Sequence, residues 1–164
     1  MKYSEIKKLD TANAEGISVS VFFSGCTYKC KGCFNEIAQD FNYGHEYTQE
    51  TENLIIQYAK NPHVKNVSLL GGEPLQQDLN KILNLCKRIK NETNKGIWLW
   101  TGGLFEDHIK NDKKLEIFKY IDVIIDGPFI LEQKDLSLLY RGSKNQRVID
   151  VKKSLKENKI ILYN

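Results

Sequence analysis

The residues best suited to chemistry in this chain are three cysteines crowded into one stretch, Cys26-Thr-Tyr-Lys-Cys30-Lys-Gly-Cys33. The spacing C-x3-C-x2-C lets a tight loop direct three thiolates toward a common metal centre. Structural zinc and ordinary 4Fe-4S sites use four protein ligands, so a set of three leaves one metal ion open to another molecule. The remaining cysteine, Cys86, lies on an apolar stripe with Ile82, Leu83 and Ile89 and reads as a core residue, because a free cysteine behaves as a small hydrophobe. The competing reading is a structural zinc knuckle completed by His45 or Cys86, which would make the chain a non-catalytic interaction module. His45, His63 and His108 show no mutual spacing that suggests a cluster, and no role is assigned to them.

A second constellation is Gly71-Gly72-Glu73-Pro74. Glycines after a strand permit close approach of backbone to a ligand, and the amides exposed there can bond a polar group. An ordinary tight turn has the same composition. Thr101, Gly102 and Asp126 end neighbouring strands and are candidates to line the same site. Arg141, Gln146 and Arg147 stand in a polar loop, as candidates for docking a partner or anchoring a ligand.

Several elements must position these residues. Ile17 to Phe23 is β-branched and aromatic and predicts a strand that runs into the cysteine loop. Helical spacing of Leu54, Ile55, Tyr58 and Ala59 predicts a helix from Thr48 to Lys60, ended by Asn61-Pro62. Val67 to Leu70 predicts a strand, the two glycines a turn, and Leu75 to Ile89 a helix. Ile97 to Trp100 and Asp122 to Asp126 predict further strands, with a helix within Leu104 to Tyr120. Val148 to Val151 and Ile160 to Tyr163 are weaker strand candidates. Strands alternating with helices predict a mainly parallel sheet whose functional loops follow the strands' C-terminal ends. A complete eightfold barrel takes about 250 residues. The expectation for residues 1–164 is therefore a single α/β domain, a partial (βα) barrel open on one side.

Composition narrows the classes. Hydrophobic residues at 41% and charged residues at 27% describe a globular chain. A net charge of +3 with interspersed signs offers no basic stripe for a nucleic acid. No apolar run approaches the ~20 residues of a membrane span, and Met1 to Asp10 lacks a signal-peptide core. With the cysteine crowding, these features predict a cytoplasmic protein without structural disulfides.

The cysteine loop, placed after a strand, resembles the signature of the radical S-adenosylmethionine (SAM) superfamily. Further ordered motifs are similar to those of the activating proteins of anaerobic ribonucleoside-triphosphate reductases. They are Asp10 to Gly16, Phe23-Ser-Gly-Cys26, Gly32-Cys33-Phe34-Asn35, Gly71 to Pro74, Trp100-Thr101-Gly102, Asp122 to Phe129 and Tyr140 to Gln146. The resemblance implies a 4Fe-4S cluster on Cys26, Cys30 and Cys33, with SAM chelating the open iron through its amino and carboxylate groups. It places SAM against Gly32, Cys33, Phe34, Gly71, Gly72 and Glu73, the last accepting from the SAM ammonium. Thr101, Gly102 and Asp126 complete the expected lining.

The implied reaction sends an electron from the cluster into the sulfonium, giving methionine and a 5'-deoxyadenosyl radical that takes an α-hydrogen from a glycine of the reductase's catalytic subunit. A low-potential donor such as flavodoxin would supply the electron. No side-chain acid or base is expected, since the cofactors carry the chemistry. One departure stands out: Gly32 occupies a position where many members of the superfamily carry an aromatic residue, so adenine contact falls to the Gly32 to Phe34 backbone or to Phe34. Within the same class, the alternatives are an activase of another glycyl-radical enzyme and a radical SAM enzyme acting on a small molecule.

Overall fold

The computed structural model describes residues 1–164. Seven strands form one sheet: β1 (Lys2–Asp10), β2 (Ile17–Ser24), β3 (His45–Glu46), β4 (Val64–Gly71), β5 (Gly96–Trp100), β6 (Val123–Asp126) and β7 (Arg147–Asp150). Their spatial order is β3-β1-β2-β4-β5-β6-β7. The central pairs β2·β4, β4·β5 and β5·β6 are parallel, while β1, β3 and β7 join antiparallel at the two sides. The helices are α1 (Gln49–Ala59), α2 (Leu79–Arg88), α3 (Phe105–His108), α4 (Asp112–Phe118) and α5 (Val151–Glu157). No helix is long and apolar enough to cross a membrane.

Strict alternation along the parallel strands divides the core. Val19, Val21, Val67, Leu69, Ile97, Leu99 and Ile124 face the helices and build the larger apolar cluster. Their neighbours Trp98, Val123 and Ile125 face the opposite side with Ala14. Because side chains alternate with period two, each strand serves both layers. Helices cover one face only, as on the outside of a barrel, and the other face is an inner surface.

That inner surface is partly filled by the loop between β1 and β2. Asn13 O accepts from Ser18 Oγ and Ser68 Oγ, both at 2.7 Å. Asp10, buried at the end of β1, accepts from Ala12 N, Asn13 Nδ2 and Ser20 Oγ. The serines at inner positions of β2 and β4 are therefore anchors for a crossing loop.

The expected strands appear close to their predicted bounds, and Thr48 caps α1 by accepting from Thr51 N. Several elements differ. The helix expected from Leu75 begins later: Pro74–Gln76 forms one 3-10 turn, and Asp78 then caps α2 by accepting from Asn80 N and Lys81 N. The helix within Leu104 to Tyr120 is two, because Asn111 accepts from Lys114 N and starts α4 anew. Ile160 to Tyr163 makes only a bridge, Ile149 to Leu162, beside β7. β1, β3 and α5 are elements that the sequence pattern does not predict.

Candidate functional site

The C-terminal ends of the parallel strands surround one cavity of about 440 Å³, within the range of small-molecule sites. Cys26, Cys30, Cys33, Phe34, Gly71, Gly72, Glu73, Thr101 and Gly102 all line it. Residues that stand as far as 76 positions apart in the chain meet here because β2, β4 and β5 lie side by side in parallel and end at the same level.

The cysteine loop is laced to the turn that follows β4. Gly72 N donates to Phe23 O at 2.9 Å and Glu73 N to Gly25 O at 2.8 Å. Gln76 clamps Thr27 from both sides, accepting from its N–H and donating to its hydroxyl, each at 2.8 Å. Gln77 Nε2 adds a bond to Gly25 O. Beyond Cys33 the chain forms a short 3-10 turn, Glu36–Gln39, whose carbonyls accept from Gly25 N and Cys26 N. Gly72 is required by space: a Cβ there would stand 2.6 Å from Gly25 O and 2.9 Å from Ala38 O.

Glu73 is only 1% exposed. Its Oε1 accepts from Thr101 Oγ1 at 2.9 Å and Gly102 N at 2.8 Å, and its Oε2 accepts from Leu75 N at 3.0 Å. The carboxylate thus ties the end of β4 to the end of β5. Burial pushes its pKa up to about 7, against the lowering effect of the Gly102, Leu75 and Thr101 bonds. Oε2, with a single bond, is the oxygen that retains accepting capacity.

The donor set suits a cluster. The three thiols are free and half-buried along one cavity wall. The thiolates of a 4Fe-4S cluster each bind a different iron, and three of them leave the fourth iron open. Asn35 N donates to Cys33 Sγ at 3.5 Å, and the backbone N–H groups of Tyr28 and Lys29 face Cys26 sulfur. Such amides are the donors that bound sulfurs accept. Burial, first, and the Glu73 charge push the Cys26 thiol above its ordinary range despite those amides. Ser24 Oγ, fully buried at the end of β2 beside this loop, is the one buried side-chain polar atom without a partner. Neither residue proposed to complete a zinc knuckle is available: Cys86 is 0% exposed within the core, and His45 stands on β3 beside Tyr3.

Some predicted residues are placed elsewhere. Asp126 is fully buried but outside the cavity wall, where it accepts from Phe105 N at 2.8 Å and from both Nε and Nη2 of Arg147. Arg147 is held by Asp126 and Glu106, so its guanidinium is committed to joining β6, β7 and α3. Neither residue lines the cavity, and the contacts both make are structural ones. A carboxylate with no exposure must be paired, and Arg147 is its pair. Arg141 and Gln146 do reach the cavity. They also brace the loop that forms it: Arg141 donates to the carbonyls of Lys144 and Gln146, while Gln146 accepts from Gly142 N and donates to Gly127 O. Gly32 packs against Leu131, and Phe34 against Phe129 with centroids 4.8 Å apart.

Tyr28, Trp100, Phe129 and Asn13 also line the cavity and were missed. All four lie inside stretches already singled out, and for the first three an aromatic character next to polar site residues is an available signal. Asn13 carries no such signal, since it arrives through the loop that crosses the inner face.

An open α/β barrel whose first parallel strand ends in a three-cysteine loop, with a glycine-glycine-glutamate turn on the adjacent strand, defines a radical SAM-type domain. Comparison with known proteins agrees. A family model described as "4Fe-4S single cluster domain" matches residues 12–149. The anaerobic ribonucleoside-triphosphate reductase-activating protein of Vibrio cholerae serotype O1 is 41% identical over 150 residues, covering 89% of this chain and 96% of its own. Proteins of the same name from Escherichia coli K12 (36% over 152 residues, covering 90% and 97%) and Enterobacteria phage T4 (38% over 152 residues, covering 90% and 93%) are also similar. The chain belongs to the family of anaerobic ribonucleoside-triphosphate reductase-activating proteins.

Proposed function

We propose that this protein generates a glycyl radical on an anaerobic ribonucleoside-triphosphate reductase, using SAM and a 4Fe-4S cluster held by Cys26, Cys30 and Cys33. The observation that carries this reading is the shared cavity, which brings the three thiols, the Gly71 to Glu73 turn and the Thr101-Gly102 strand end to one wall-to-wall space. When bound, the cluster supplies one electron for cleavage of a SAM carbon–sulfur bond, and methionine, 5'-deoxyadenosine and a glycine radical are the balanced products.

The chain's own contribution is positioning. The Gly71-Gly72 turn offers backbone at close range to the methionyl end of SAM, and Glu73 Oε2 offers an acceptor for its ammonium. Thr101 and Gly102 fix that carboxylate. Phe34, 60% exposed and packed on Phe129, offers an aromatic face for adenine beside Gly32 and Cys33. The β6–β7 loop, with Leu136 81% exposed at the cavity edge, leaves a flank on which a protein loop can rest. Arg141 and Gln146 border that flank and are assigned to it. The exposed Lys29 and Lys31 beside the cluster cysteines provide an approach for a low-potential electron donor such as flavodoxin. Free thiols on a loop suit a reducing, cytoplasmic compartment.

The test is anaerobic incubation with SAM, reductant and the reductase, followed by electron paramagnetic resonance. A glycyl radical is expected, with deuterium moving from the glycine α-position into 5'-deoxyadenosine. Absence of both, with the cluster intact and the two proteins in complex, would refute the reductase as substrate.

A further inference from the structure

The network holding Glu73 does not stop at Thr101. His108, at the end of α3, is buried, and its Nε2 lies 2.8 Å from Thr101 Oγ1. On the other side of the ring, Lys114 Nζ lies 3.4 Å from Nδ1. The imidazole is held edge-on to Phe118, with centroids 6.1 Å apart. Gly103 makes room for it, since a Cβ there would stand 2.5 Å from His108 Nε2 and 2.6 Å from the Tyr28 hydroxyl.

The protons in this chain can be placed by elimination. Thr101 has one hydroxyl hydrogen, and with Glu73 ionised, the form that accepts from an ammonium, it goes to Glu73 Oε1. Thr101 Oγ1 already accepts from Gly103 N at 3.1 Å. Its contact with His108 must then run from an Nε2–H to the hydroxyl oxygen. Nδ1 is left bare, and the Lys114 ammonium, which only donates, is suited to face it. Burial, followed by the Lys114 charge, holds the His108 pKa down to about 4, so the ring is neutral at neutral pH.

We propose that His108 is a positioning residue for SAM: its Nε2–H orients the Thr101 hydroxyl, which fixes the Glu73 carboxylate under the Gly71-Gly72 turn, and Lys114 selects the tautomer. The proposal rests on the SAM site described above. His108 touches neither the cavity nor the thiols, so it acts only through Thr101 and Glu73. Without it, Thr101 is free to rotate its hydroxyl away, and Glu73 loses one of the bonds that define its place.

The test uses the full chain with its cluster reconstituted anaerobically, in three variants. Gln presents an N–H near the place of Nε2, Asn presents one nearer Nδ1, and Leu presents none. His108→Leu and His108→Asn are expected to weaken SAM binding about tenfold, the size of one lost hydrogen bond, or about 1.4 kcal/mol. His108→Gln should restore affinity to within about twofold. Iron content and turnover at saturating SAM should change little, so the loss appears in KM and the dissociation constant.

Nitrogen-15 NMR of the wild-type protein with its oxidised cluster should report a neutral Nε2–H tautomer. Wild-type affinity in His108→Leu, equal weakness in His108→Gln, or an Nδ1–H tautomer would overturn the proposal. A wild-type protein with full iron that does not bind SAM would instead overturn the SAM site, and the tautomer would still decide the hydrogen-bond assignment.

Discussion

Replacing Gly72 with Ala puts a methyl carbon where the folded chain has only backbone. The new Cβ would stand 2.6 Å from Gly25 O, 2.9 Å from Ala38 O and 2.9 Å from Gly25 N. None of these atoms belongs to a flexible side chain, so the methyl cannot be accommodated by a rotamer change. Relief requires the cysteine loop to move away from the turn, which strains Gly72 N to Phe23 O, Glu73 N to Gly25 O and Gly25 N to Ala38 O together. Overpacking costs about 1–3 kcal/mol in general, and rigid neighbours put this site in the upper half, about 2–3 kcal/mol. For a chain of this size that corresponds to a melting temperature lowered by roughly 4–12 °C. The check is thermal and urea unfolding of the cluster-free protein, with iron content after reconstitution as a second readout. Both should fall, because the displaced segment carries Cys26. A Gly72→Ala protein with unchanged melting and full iron would refute the claim that close backbone packing at this turn sets the cysteine loop.

Two further outcomes are expected. Glu73 has its pKa raised from 4.5 in the unfolded chain to about 7 in the fold, so the native state binds more protons between these values and stability falls as pH rises through that window. The stability–pH profile of the cluster-free protein minus that of Glu73→Gln should show this fall, and the subtraction also reduces the opposing contribution of His108; a flat difference between pH 5 and 7 would count against it. Cys86, with its thiol pushed up to about 12 by complete burial, should resist alkylation until the chain unfolds, while Cys26, Cys30 and Cys33 of the cluster-free protein react. Mass spectrometry distinguishes these, and Cys86→Ala should keep its full iron content.

Legibility along the chain followed the strength of local patterns. Ile17 to Phe23, Val67 to Leu70 and Ile97 to Trp100 announce themselves as short segments rich in β-branched and aromatic residues, in which Val19, Val21, Val67 and Leu69 on the helix-covered face alternate with Ser18, Ser20 and Ser68 on the inner one. β1 does not, since it lies toward the side of the sheet, is only partly covered, and slips register between Tyr3 and Glu5 and again between Lys7 and Asp10. Each slip breaks the period-two signal on which a strand reading depends. α5 was hidden by its shortness and by a start directly from β7, where Asp150 caps it through Lys153 N.

The sequence by itself determined the chemistry: three cysteines at C-x3-C-x2-C, a glycine-glycine-glutamate turn, and the order of strands and turns that carries both. These are local properties, set by spacing and by the few residues that a close backbone approach tolerates. Pairing across the sheet was left to the tertiary structure, and with it the fate of every charged or polar candidate. Asp126 is a candidate to line the site because it ends a strand, and Arg147 a candidate for docking a partner or anchoring a ligand because it stands in a polar loop, yet antiparallel β7 pairs the two outside the cavity. Asn13 entered the site, and His108 its supporting network, only because distant loops meet above the same strand ends. A buried charge takes whatever partner the fold places within reach, and no spacing along the chain records that distance.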